Sequence, residues 1–318
     1  MTALQHLLAL TAPLFLLVLV GYVLIRWGKW DRAIADALTR FVFAAAVPTL
    51  LFRLMSGFSR LPAVDARLLI AYFGGSLLVF FAARVAAYRM FRMDGAAQSV
   101  FGVGTVFSNN LLLGVPLAQT LLGEASLPAV SLVLVFNSFL LWTLVTVSVE
   151  WARNRAASVR GLVATAKGVV TNPIVASILL GTAYSYTGLP LPGMVDRTLE
   201  LIGQAAVPLS LIALGMGLAE FGMREGLRES AAICTFKLLV HPAVVLLLAA
   251  ALGLPPLETQ AIVLMAALPV GANVYLMSRQ FDTLAGPVAG SLVLSTLVAA
   301  ASAPVMLTAT VLLATWGR

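Results

Sequence analysis

The sequence predicts an all-α integral membrane protein of ten transmembrane helices in two inverted five-helix repeats, with discontinuous helices 4 and 9 crossing near the midplane. Three observations lead there. Of 318 residues, 61% are hydrophobic and only 10% charged, a balance that suits a lipid solvent and not a soluble domain. Apolar stretches of about 20 residues, enough to cross a bilayer, fall at roughly 7–25, 37–56, 66–89, 97–121, 127–149, 168–187, 200–219, 230–252, 257–278 and 285–315. Pro116 and Pro269 interrupt the fourth and ninth of these among glycine and asparagine, and broken backbone at membrane depth needs protein or water to satisfy it.

The first stretch follows MTALQH, with no basic residue ahead of it and no small-residue cleavage pattern at Arg26, so it reads as a retained helix. The polar interval Glu150–Lys167 divides the chain, and the halves resemble each other at a displacement of 160 residues. Thr11, Pro13 and Gly21 recur as Thr171, Pro173 and Gly181, Ala45–Pro48 as Ala205–Pro208, and Ser131–Leu134 as Ser291–Leu294. This gives a first five-helix repeat over 1–150, a basic cytoplasmic linker over 151–167 and a second repeat over 168–318. Five spans per half, an odd number, invert the second half relative to the first, a plan common in secondary transporters.

Charge agrees with that topology. Fourteen lysines and arginines lie on the odd-numbered connections and five on the opposite side, which puts both termini outside the cytoplasm by the positive-inside rule, the periplasmic side if the membrane is the bacterial inner one that the resemblance given below implies. These arginines form no basic arm, so the net charge of +7 does not indicate nucleic acid. Trp27, Trp30, Trp142, Trp151 and Trp316 lie near span ends, as interfacial anchors should. The glycines Gly74, Gly75, Gly102, Gly104, Gly215 and Gly217 read as sites of close helix contact. Asn137, inside the apolar fifth stretch, reads as a link between neighbouring helices.

Asn109-x-x-x-x-Gly114-x-Pro116, Pro269-Val-Gly271-Ala-Asn273-Val-Tyr275, and Asn172-Pro173 with Gly-Leu-Pro-Leu-Pro at 188–192 resemble the auxin efflux carrier family, and more narrowly its bacterial malonate or malate permease-like members. The resemblance covers essentially the whole chain. It implies crossed discontinuous helices, a scaffold of helices 1, 2, 6 and 7, often dimeric, and a mobile transport domain of helices 3–5 and 8–10. Small organic anions are the implied substrates. The chain departs from the pattern at Asn110, directly after Asn109, and at Ser278-Arg279.

The residues support the same site independently. A helix that restarts exposes amides that favour an anion, and one that stops exposes carbonyls that favour a cation. Asn109, Asn110, Gly114, Pro116, Pro269, Gly271, Asn273 and Tyr275 are therefore the candidate substrate-binding residues, with capping of the broken ends as the plainer role for the asparagines. Lys237 lies inside the eighth stretch with His241 four residues on. The pair reads either as an anion- or proton-coupling group or, the favoured alternative, as a lysine snorkelling to the interface beside a histidine bonded near Pro242.

Only two histidines occur, and the GxxxxGK[ST], GxSxG and HExxH motifs are absent, so no ATPase, hydrolase or histidine-rich metal site is indicated. Neither an enzyme nor a cofactor is expected. The expected partners are a small carboxylate, the bilayer, a second copy through the scaffold, and Na+ or H+ as coupling ion. The rival readings are an exporter of an auxin-like aromatic monocarboxylate, a bile-acid-type sodium symporter, and an anion-binding membrane sensor.

Overall fold

A computed structural model describes residues 3–28, 30–60, 65–154, 173–219 and 226–316. Most of the basic linker, Thr171 and Asn172 lie outside the described residues. The described chain is helical, and the one β-type pairing in it is an isolated bridge between Ser108 and Val270. Six helices or helix runs are long and apolar enough to cross a membrane, with shorter apolar helices at 12–26 and 110–122.

In chain order the helices are α1 (Ala3–Arg26), α2 (Arg32–Phe41), α3 (Val47–Met55), α4 (Arg67–Phe91), α5 (Gly95–Gly104), α6 (Val115–Leu122), α7 (Leu127–Asn154), α8 (Pro173–Ser185), α9 (Gly193–Gln204), α10 (Ala206–Leu218), α11 (Leu227–Thr235), α12 (His241–Ala251), α13 (Pro256–Ala267), α14 (Ala272–Gln280) and α15 (Ala285–Trp316). Polar residues punctuate them. Asp31 caps α2 by accepting from the Ile34 amide at 3.1 Å, and Asp94 caps α5 by accepting from Ala97 at 2.7 Å. Arg92, at φ +52°, turns the chain out of α4 in the left-handed region.

Three prolines fall in first turns behind a wide π-helical turn. The turns Val42–Ala46, Asn110–Gly114 and Phe236–Val240 precede Pro48, Pro116 and Pro242. In each the next residue bonds five back, as Val115 N does to the Asn110 carbonyl. The extra residue accommodates the proline ring, and the helix runs on without a break. Pro116 is thus not a break point, which corrects the expectation. The interruption of the fourth stretch lies at Thr105–Asn109, ahead of the proline, where the run Ser108-Asn109-Asn110 offers the backbone side-chain alternatives to helical bonds.

Packing is closest where glycine permits it. α1 crosses α10 at Gly21 and Gly215. A Cβ on Gly21 would lie 2.0 Å from the Ile212 carbonyl oxygen, and one on Gly215 would lie 1.8 Å from that of Val18. α3 meets α8 in the corresponding way, with Gly181 facing the Phe52 carbonyl at 2.7 Å. Gly75 and Gly102 face Val245 and Phe80 at 3.0 and 2.9 Å, whereas Gly74 is in ordinary contact and Gly217 faces open space. Arg53 on α3 donates twice to Asp196 on α9, at 2.7 and 3.2 Å, tying the two halves of the chain together.

Candidate functional site

The two interruptions meet. Asn109 N donates to the Pro269 carbonyl at 2.9 Å and Gly271 N to the Phe107 carbonyl at 2.8 Å, so two extended segments pair antiparallel inside the helical core. The Val270 amide, between them, donates to Ser295 Oγ on α15 at 3.0 Å. Three amides freed by the breaks, those of Asn109, Val270 and Gly271, are therefore satisfied by protein, as an apolar surrounding demands. A Cβ on Gly271 would lie 2.9 Å from both the Ser108 carbonyl oxygen and Phe107 Cδ1, so only glycine lets the chains approach this closely.

Antiparallel pairing sets the start of each resumed helix beside the end of the other interrupted one. The helical run that begins at Asn110 lies next to the end of α13, and α14 begins next to the end of α5. Each side of the bridge thus combines amides that lack an intrahelical acceptor with carbonyls that lack a donor. An anion-favouring end and a cation-favouring end are neighbours there.

Among the candidate residues, Asn109 and Asn110 are buried, and the Asn109 carbonyl accepts from Leu113 and Gly114 as the wide turn begins. The Asn110 amide donates to the Tyr72 hydroxyl at 3.3 Å, beside the Ser108 side chain, while Asn110 Oδ1 is buried without a hydrogen-bond partner among the described residues. Pro269 and Gly271 form the pairing itself. Asn273 and Tyr275 are half-buried in the first turns of α14, so both stay near the break. Gly114 serves packing: a Cβ there would meet Leu268 Cδ1 at 2.7 Å and Met265 Sδ at 2.9 Å. Pro116, two residues on, is buried in α6 and away from the pairing. On α7, Asn137 is buried with its Oδ1 unpartnered among the described residues, so no donor on a neighbouring described helix reaches that oxygen.

Lys237 overturns the snorkelling expectation. Its side chain is fully buried, and Nζ donates to the Ala266 carbonyl, at the end of α13, at 2.5 Å. A second contact, at 3.3 Å, joins Nζ to His241 Nδ1. The other ring nitrogen of His241 lies 3.0 Å from Ser76 Oγ, and that hydroxyl donates to the Tyr72 carbonyl at 2.8 Å. The rings of Tyr72 and His241 pack with centroids 5.7 Å apart. A buried polar cluster therefore runs from Asn110 at one break, through Tyr72, Ser76 and His241, to Lys237 at the other. Among the described residues no carboxylate pairs with Lys237, and the partial negative charge it meets is that of the end of α13.

Sequence reasoning passed over Tyr72, Ser76, Ser108 and Ser295. A serine four residues after a tyrosine in an apolar run shares its face, which is the one local signal that links two of them.

Comparison with known proteins places the chain among membrane transporters. The family described as membrane transport protein matches residues 6–307. A "putative malonate transporter" of Rhizobium meliloti (strain 1021) is 26% identical over 301 residues, 92% of each chain. An uncharacterized transporter of Methanothermobacter thermautotrophicus is 24% identical over 294 residues, covering 91% of this chain and 93% of its own. One from Methanocaldococcus jannaschii is 22% identical over 294 residues, covering 88% and 91%.

Proposed function

Because the chain belongs to the auxin efflux carrier family of membrane transport proteins, and is a transporter rather than an enzyme, we propose that it carries small organic anions by alternating access, with dicarboxylates such as malonate or malate as the first candidates. The observation that carries this reading is the antiparallel pairing of the two interrupted helices at Asn109–Pro269 and Phe107–Gly271. Resumed helices beginning there present amides to a solute, and Asn109, Asn110 and Asn273 add neutral donors without a fixed charge in the bilayer. The relative named for malonate supports the choice of substrate class.

The mechanism we favour is an elevator movement. Helices α1 to α3 and α8 to α10 form the scaffold, and the interrupted helices with α4, α7, α11, α12 and α15 form the mobile part. The reading of the two halves as inverted repeats favours it. The α1–α10 crossing and the α3–α8 crossing are equivalent under an exchange of halves, and each is closed by a glycine, Gly21 or Gly181, of the 160-residue register. A scaffold-mediated homodimer in a bacterial inner membrane, with both termini periplasmic, completes the reading.

The test is uptake of labelled carboxylates by the purified chain in proteoliposomes, under an imposed sodium gradient, pH gradient or potential. Malonate or malate should be accumulated or exchanged above empty vesicles, and Asn109→Ala and Asn273→Ala should weaken it in folded protein. Binding without counterflow of label would mark a sensor, and preference for an aromatic monocarboxylate would favour an auxin-like substrate.

A further inference from the structure

We propose that Lys237 is a tethered cation that fills the cation-favouring end of α13 in place of a sodium ion, so that anion transport is independent of sodium. The inference rests on the transport reading above and names the coupling residue of the same site.

Four observations carry it. The last carbonyls of α13, cut off from a following helical turn by Leu268–Gly271, are the kind of ligand a sodium ion uses, being neutral oxygens at the negative end of a helix. Lys237 Nζ already holds one of them, Ala266. The side chain is fully enclosed. Its remaining contact is His241, itself held by Ser76, so the amine is positioned by the protein and is not a loose chain end. Among the described residues the titratable group in contact with it is His241 of the next turn, whose ring packs in turn against Tyr72 of α4.

Position gives the amine a consequence for substrate. Pairing at the bridge sets the end of α13 against the start of the run at Asn110, so a carboxylate drawn to those amides meets positive charge across the gap. A free ion would have to bind and leave in each cycle to provide that charge. The lysine is tethered and need not bind or leave, and its protonated form, costly without a carboxylate partner, becomes less costly when the substrate anion arrives.

The experiment compares wild type, Lys237→Met and Lys237→Arg, each reconstituted at full length, for uptake of labelled malonate in sodium medium and in choline medium, alongside melting of the detergent-solubilised proteins with and without sodium. Wild type should take up malonate equally in both media and show no sodium-dependent melting shift. Lys237→Met should lose about tenfold or more of the uptake, the size of a typical coupling energy, while Lys237→Arg, which keeps the charge, should recover most of it. Wild-type uptake that collapses in choline, a sodium-dependent melting shift of wild type, or full uptake by folded Lys237→Met would each overturn the proposal. If Lys237→Met does not fold, the wild-type arms and Lys237→Arg still decide. Wild type that moves no carboxylate in any medium sinks the transport reading instead, and the melting comparison continues to test the lysine.

Discussion

Gly271 and Ser108 face each other across the meeting point of the two interrupted helices, so closely that a methyl group on the glycine would stand 2.9 Å from the serine carbonyl oxygen. The obstacle is backbone, which cannot swing aside as a side-chain tip can. Gly271→Ala should therefore separate the chains and lengthen the Gly271–Phe107 hydrogen bond. Overpacking of this kind costs about 1–3 kcal/mol, and anion uptake should fall by about tenfold or more, each tenfold corresponding to ~1.4 kcal/mol. Gly114→Ala meets only Leu268 Cδ1 and the Met265 thioether, both able to move, and should retain most of the uptake. Parallel proteoliposome assays of the two variants check the contrast, and equal losses would refute it.

Thermal stability should separate Gly215 from its neighbour Gly217. A Cβ on Gly215 collides with the Val18 carbonyl oxygen at 1.8 Å, so Gly215→Ala forces α1 and α10 apart and should lower the melting temperature sharply. Gly217 lies in the same helix with nothing within 4 Å. There the alanine gains helix propensity, about 0.5–1 kcal/mol, so Gly217→Ala should melt at or above wild type. Melting of purified protein in detergent measures both.

These contrasts show where the sequence was informative. Length and apolarity of the stretches made the helical membrane class legible, because the bilayer imposes both on each helix separately. Pro269 marked its break correctly, since the residues around it leave the helix. Pro116 misled, because a proline in a first turn behind a wide turn needs no helical amide of its own, and Ser108-Asn109-Asn110 was the better signal. Lys237 was visible as a cation within a span, yet its inward course depends on a carbonyl 29 residues away, which no local pattern encodes. Gly215 was legible as a close-contact glycine, whereas Gly21 becomes one only when the crossing of α1 and α10 brings it against a carbonyl. Local chemistry set the elements, and contacts distant in the chain set what their polar residues do.

The amide of Val270 has a single acceptor, Ser295 Oγ, and both groups are buried. Ser295→Ala removes the acceptor and leaves an unpaired amide, at a cost of about 1–3 kcal/mol. Since that amide sits in the middle of the paired segment, the loss should appear as reduced uptake as well as earlier melting. Ser291→Ala makes a control on the same helix, because the Ser291 hydroxyl donates only to the Val288 carbonyl of its own turn. Comparable defects in both variants would show that the serine acts on α15 alone.

Tyr72 and Asn110 should be energetically coupled. The tyrosine hydroxyl accepts from the asparagine amide at 3.3 Å in a buried site, and among the described residues Asn110 Oδ1 has no partner to compensate for a loss. Tyr72→Phe therefore strands the amide, at a cost of about 1–3 kcal/mol, and Asn110→Ala leaves the hydroxyl with only the neighbouring Ser108, at a smaller cost. The double variant strands neither, so its destabilisation should fall short of the sum of the two single changes by about 0.5–3 kcal/mol, the range for residues in direct contact. Melting or denaturant titration of the four proteins in one detergent closes the cycle. A coupling of zero would mean that the hydrogen bond does not hold α4 to the start of the resumed helix, and that Asn110 is oriented by the wide turn alone.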